Sequence, residues 1–192
     1  MDHELVCDHS LLLFLLRFKR LFKKTNVCNV FLSYLGELLC CNALGMYHYR
    51  TDEIPLYVPF GHAILYATGY VFSETKWAHK HKEILRKYFI AFFLIVLIGV
   101  GVIFNDILSL LFGLFFFIVV KKRNWQSLYF FVSFCVIVLE LVGTYYQCWG
   151  WYPKVLWIIP TINPPLGAIF IYVGGDITLN KLVHFLERTI KI

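Results

Sequence analysis

The 192-residue chain is 59% hydrophobic and only 16% charged, with 19 Phe, 12 Tyr and a formal net charge of +6. A soluble domain is roughly 45–50% apolar and about a quarter charged, so this composition excludes an ordinary soluble globule and makes lipid the expected solvent. It also excludes nucleic-acid binding, because no basic face with interleaved aromatics survives outside the apolar runs. The expected fold class is an all-α membrane protein, a bundle of about six transmembrane helices.

In chain order, residues 1–26 begin with acidic Met1-Asp2-His3-Glu4, where a secretory signal needs a basic region. A short apolar stretch then meets Arg17, Lys19, Arg20, Lys23 and Lys24, which predicts an amphipathic helix on the cytoplasmic membrane surface. A span needs about 17–25 mainly apolar residues. Spans are expected at 27–47, 55–72, 88–104, 107–120, 127–147 and 155–175, within a membrane domain covering 27–176. A cytoplasmic tail is expected over 177–192. The third and fourth spans turn at Asn105-Asp106, a turn-prone pair. The fourth is short, which leaves a re-entrant hairpin over 88–120 as the alternative to two full spans.

With the N-terminus inside, all Lys and Arg except Arg50 and Lys154 fall on the cytoplasmic side. That asymmetry places both termini in the cytoplasm. Trp125, Trp149, Trp151 and Trp157 sit near span ends, as an interfacial aromatic belt requires. Compact loops and the lack of a targeting segment make a bacterial plasma (inner) membrane the expected location. The six cysteines show no CxxC pair or Cys/His spacing, so neither a metal nor a disulfide framework is expected, and no cofactor is implied.

A faint duplication runs through the chain. Glu37, Gly45-Met46-Tyr47-His48-Tyr49 and Pro55-x3-Pro59-Phe60-Gly61 recur as Glu140, Gly143-Thr144-Tyr145-Tyr146 and Pro160-x3-Pro164-Pro165-Leu166-Gly167. The first span would match the fifth and the second the sixth, a parallel repeat. Pro59 and the Asn163-Pro164-Pro165 run interrupt regular helix. The sixth span is expected to begin extended and to turn helical near Pro164, with its new N-terminus aimed into a cavity.

Glu37 and Glu140 lie within spans, where a carboxylate costs roughly 2.5–3.5 kcal/mol on the most lenient scale. Such groups face a bundle interior. Two of them on one cavity can share a proton, one donating while the other accepts. With His62, the one histidine placed inside a span, they form the expected catalytic set. Asn163, Tyr66, Asn42 and Asp176 are the expected substrate-binding residues. The plainer alternative is helix-to-helix hydrogen bonding through Asn42, Tyr34 or Tyr145. His79 and His81 are expected to be solvated, and Asp106 to serve its turn.

The mid-span Glu37, the Gly45-x-Tyr47-x-Tyr49 ending and Ile54-Pro55 resemble the polytopic carotenoid-biosynthesis hydratase-type membrane proteins. Glu140, Gly143-Thr144, Trp149-x-Trp151, Asn163-Pro164-Pro165 and Asp176 resemble an uncharacterised bacterial integral membrane protein family. The matches cover residues 37–70 and 140–176. The resemblance implies proton-assisted chemistry at an isoprenoid double bond, with Glu37 and Glu140 as acid and base. The expected function is an enzyme acting on a lipid or small hydrophobic isoprenoid substrate. A small proton- or cation-coupled transporter and a membrane scaffold or assembly protein stand as alternatives. The expected partners are membrane lipids, with a homo-oligomer left open.

Overall fold

The computed structural model describes residues 28–51 and 53–190. The surface helix expected over 1–26 lies outside them. Helix α1 covers described residues 28–43, regular through residue 37 and then widening into a π-helical turn, Leu38–Ala43. Gly45, at φ +54°, adopts the left-handed backbone that ends it and feeds strand β1, Tyr47–Tyr49. Helices α2 (Tyr57–Ser73), α3 (Lys76–Lys80), α4 (Lys82–Ile103), α5 (Ile107–Lys122) and α6 (Ser127–Tyr145) follow. Three short strands come next: β2 (Trp149–Trp151), β3 (Lys154–Val155) and β4 (Ile159–Pro160). A 3-10 turn at Leu166–Ala168 leads into the last helix, α7 (Ile169–Ile190).

Among the described residues, three stretches are long and apolar enough to cross a membrane: Lys82–Ile103, Ser127–Tyr145 and Leu166–Phe185, with mean hydropathies of 2.1, 2.0 and 1.3. Helices α2 and α5, at 17 and 16 residues, are apolar but shorter. The sixth expected segment begins extended and turns helical close to Pro164, as its prolines predict, but its far end needs correction. Residues 155–165 are extended or turned, the β3–β4 hairpin among them, and helix begins only at Leu166. Pro160, Pro164 and Pro165 each remove a backbone donor, which delays the helix. Beyond Gly175 no glycine or proline interrupts the chain, so α7 continues through residues expected to form a tail.

The α4–α5 hairpin turns where expected. Asn105 takes a left-handed φ of 56°, and the Asp106 carboxylate accepts from the Ser109 backbone N–H at 3.0 Å, capping α5. Asp106 does more than serve its turn. It is fully buried and also accepts from the Thr161 hydroxyl at 2.9 Å, while the Ser109 hydroxyl accepts from the Gly167 N–H at 2.9 Å. One capping carboxylate therefore fastens the hairpin to the chain that enters α7. A Cβ at Gly167 would lie 2.6 Å from the Ser109 Cα, so only glycine permits this approach.

Met46, Tyr47, Leu108, Trp151, Val155 and Ala168 pack into one cluster, which gathers the strands, the α4–α5 turn and the start of α7 at one end of the bundle. The larger core is aromatic. Phe93, Phe116 and Phe130 are fully buried between α4, α5 and α6, with Phe89 stacked on Phe130 at 5.4 Å. Helices α2 and α6 approach at Gly69, where an added Cβ would lie 2.5 Å from Val132 Cγ2 and 3.1 Å from its backbone nitrogen. A Cβ at Gly99, in contrast, meets nothing within 4 Å. Gly69→Ala should therefore destabilise the protein by about 1–3 kcal/mol. Gly99→Ala should be neutral or slightly stabilising. Thermal unfolding of the detergent-solubilised variants checks the contrast.

Candidate functional site

The site is assembled by two chain segments far apart in sequence. Strand β1 pairs antiparallel with β2, setting Tyr47 opposite Trp151, His48 opposite Gly150 and Tyr49 opposite Trp149. Alternation along a strand sends successive side chains to opposite faces. Tyr47, Tyr49, Trp149 and Trp151 therefore point together toward the helices, and His48 points away with Gly150 beneath its ring. Tyr47 and Trp151 pack with ring centres 4.7 Å apart.

Each strand serves the glutamate of its own half. Glu37 Oε2 accepts from the Tyr47 hydroxyl at 2.6 Å and the Tyr49 hydroxyl at 2.7 Å. Glu140 Oε2 accepts from the Trp149 and Trp151 indole N–H groups, both at 3.0 Å. The remaining oxygens face two helices. Glu37 Oε1 meets His62 Nε2 of α2 at 2.8 Å, and Glu140 Oε1 accepts from the Tyr172 hydroxyl of α7 at 3.2 Å. The His62 and Tyr172 rings stack at 4.8 Å and 19°. Both glutamates are buried, 5% and 3% exposed, and each has three partners. Burial and the neighbouring Glu37 push the Tyr49 hydroxyl far above its ordinary pKa, so it remains a donor.

The two halves differ by one residue. Glu37 precedes its strand partners by ten and twelve positions, Glu140 by nine and eleven. The π turn at Leu38–Ala43 lies between Glu37 and its strand, and a π turn is the usual way a helix absorbs an inserted residue. This corrects the correspondence expected from sequence. Tyr47 and Tyr49 match Trp149 and Trp151, not Tyr145 and Tyr146, which are exposed. The signal was present as Tyr-x-Tyr and Trp-x-Trp, a two-residue period that suits a strand facing one way.

Around the glutamates lies a cavity of about 180 Å³, floored by residues of α1, α2, α6 and α7 and roofed by the four strand aromatics. The structure brings Glu37, Glu140, His62 and Asp176 to it, and Asn29 with them. It does not bring the others. Asn42 is exposed on the π turn, and the Tyr34 and Tyr145 side chains suggested as glutamate partners are exposed too. Asn163 accepts from the Trp151 backbone N–H at 3.1 Å, so it anchors strand β2 instead of lining the cavity. Tyr66 is buried beside Asn180 and Asp176, below the cavity wall. The N-terminus of the last helix does not aim at the cavity either, because its Gly167 N–H is taken by Ser109. Trp149 and Trp151 turn inward, unlike an interfacial belt, whereas Trp157 is 90% exposed. His79 and His81 lie outside the site, the first 3.7 Å from Glu74. Among the described residues no group of His, Cys, Asp or Glu is arranged to hold a metal.

No protein-family model matches the chain, and no curated protein or solved structure gives a significant match. The likeness in residues 37–70 and 140–176 rests on those residues alone.

The indole N–H groups are donors only, so removing their shared acceptor orphans them in an apolar setting. Glu140→Leu should cost more stability than Glu140→Gln, which keeps an acceptor oxygen, by about 1–3 kcal/mol. Unfolding curves of the two purified variants measure the difference.

Proposed function

We propose that the chain is a six-pass membrane protein, both termini cytoplasmic, whose cavity performs acid–base chemistry on a lipid or isoprenoid substrate. The observation that carries this reading is the convergence of two buried glutamates, each with a full set of donors, on one cavity that also holds His62. Helix-to-helix glue needs no such convergence. Six passes are favoured by the shared end on which the strands, the α4–α5 turn and the β3–β4 hairpin gather. The lysines of 76–87 and 121–123 lie at the far ends of the same helices, as a cytoplasmic face requires. A bacterial plasma membrane fits this arrangement.

Proton routes follow from which atoms are occupied. Glu37 Oε2 is engaged by two tyrosines, so its exchangeable proton passes between Oε1 and His62 Nε2. His62 then exchanges with substrate through Nδ1, which makes no hydrogen bond among the described residues. Glu140 Oε2 is engaged by two indoles, so Oε1 is the atom that takes or returns a proton, steadied by Tyr172. One group gives a proton while the other receives one, and the enzyme ends the cycle as it began. An engineered cavity of about 150 Å³ admits a benzene molecule. A cavity of about 180 Å³ thus holds the end of a hydrophobic chain and leaves the remainder in the bilayer.

A second reading has one observation in its favour. Asp176 is a third carboxyl on the same cavity, which suits a proton- or cation-coupled transporter. The discriminating experiment is untargeted lipid profiling of host membranes at matched expression. Wild type should create or consume a lipid or isoprenoid species. Glu37→Gln, Glu140→Gln and His62→Ala should each reduce that change by about 100-fold or more while still inserting. Identical profiles in a host shown to contain diverse isoprenoids would sink the enzyme reading, and pH-dependent flux in proteoliposomes would then support transport.

A further inference from the structure

Beneath the glutamates, the cytoplasmic half of the cavity holds two polar side chains that the chemistry above does not use. Asp176 is 7% exposed on α7, one turn below Tyr172, and makes no hydrogen bond among the described residues. Its Oδ2 is fully enclosed and has no partner. Asn29 is 6% exposed on α1, two turns below Glu37. Its Oδ1 accepts from the Ser33 hydroxyl at 3.1 Å, and its Nδ2 is likewise enclosed without a partner. Both residues line the cavity. Buried polar groups are almost always satisfied, and a carboxyl at membrane depth without a partner is among the costliest exceptions. Two such groups in the lining of one cavity, one donor and one acceptor, mark a position for something that is not protein.

We propose that Asn29 and Asp176 form a recognition subsite for an alcohol, the hydroxyl-bearing end of a hydrophobic chain. A hydroxyl is the small neutral group that accepts one hydrogen bond and donates another. Its oxygen takes the Asn29 amide N–H, and its hydrogen goes to the Asp176 carboxyl. A cation would suit Asp176 but would oppose the Asn29 amide donor. An anion would meet the reverse conflict. Glu37 stands eight positions after Asn29, about 12 Å along the helix, so the bound hydroxyl lies well below the two glutamates. The chain between passes Leu32, Leu65 and Ile171, an apolar wall. The subsite therefore reads the polar terminus of a ligand whose more distant carbons lie beside His62 and Glu140. This inference names the ligand class of the cavity assigned above, and its binding assay does not depend on turnover.

The test measures binding of three probes of matched length to the purified full chain in nanodiscs: 1-dodecanol, 1-methoxydodecane and dodecane. Wild type should bind dodecanol at least tenfold more tightly than either of the others. Asp176→Leu and Asn29→Leu should each bring dodecanol down to the level of dodecane without weakening dodecane itself. Asp176→Asn, which still accepts and donates, should keep most of the preference and covers the case in which the leucine variant fails to fold. Equal binding of all three probes by wild type would overturn the proposal, as would a dodecanol preference that survives both leucine variants. A high-resolution map showing water between the two side chains in the presence of saturating dodecanol would overturn it as well. Dodecanol selectivity in a protein that alters no host lipid would leave the subsite standing and count only against the enzymatic reading.

Discussion

Three opposed residue pairs between β1 and β2 hold the rest of the site in place. Each glutamate is bound by aromatics of its own half, so neither half alone brings the two acids together. The strand pairing does that. It sets Tyr47 against Trp151 and Tyr49 against Trp149, and the four side chains become a shared roof over the cavity. A one-residue slip of either strand would turn its two aromatic side chains to the opposite face. The glutamate that strand serves would then lose two donors at once inside a low-dielectric interior, where an unsatisfied group is most costly. The local packing resists that slip. Gly150 admits the His48 ring, whose Cε1 would lie 3.1 Å from an added Cβ, and His48 in turn packs on Tyr152 at 5.0 Å.

The donor sets of the two acids differ in kind, and that difference sets which of their partners can pass a proton on. Indole N–H groups can only donate, whereas a phenol hydroxyl or an imidazole can also carry a proton onward. Glu140 is thereby held with one oxygen fixed as an acceptor and one left to Tyr172. Glu37 belongs to a chain of exchangeable groups that ends on His62. Stacking of His62 on Tyr172 brings the two sets into contact. A second buried carboxylate, Asp106, works at the same end of the bundle without facing the cavity. It is spent on capping α5 and holding the approach to α7, the element that carries Tyr172 and Asp176.

Much of this was legible in the sequence. Composition announced a mostly helical chain with helices apolar enough to cross a membrane, the Asn105-Asp106 turn falls where turn chemistry puts it, and Glu37, Glu140 and His62 stand out because buried charge demands explanation. What escaped was set by tertiary context. The far end of the last helix escaped, because no glycine or proline beyond Gly175 stops it and it runs on through residues expected to form a tail. Proximity along the chain points to Asn42 and expected depth in the sixth span to Asn163, yet one faces outward and the other anchors a strand. In the sequence the four roof aromatics look like an interfacial belt and a helix ending. Aromatic residues near a membrane boundary have that role by default, and only the strand pairing reveals that they turn inward. Asn29 carried no signal, since a single amide at the start of an apolar run looks like a boundary residue.

The central claim is that β1 and β2 pair in this register and thereby bring both glutamates to one cavity. Disulfide trapping in a cysteine-free background tests it directly. Opposed residues on paired antiparallel strands have Cα atoms about 4.5–5.5 Å apart, within disulfide reach, whereas diagonal neighbours lie about 7–8 Å apart. The His48→Cys/Gly150→Cys pair should therefore cross-link efficiently in native membranes, and His48→Cys/Tyr152→Cys should not, as read by peptide mass spectrometry. Preferential linking of the 48–152 pair, or no linking of 48 with 150 under oxidation, would contradict the account.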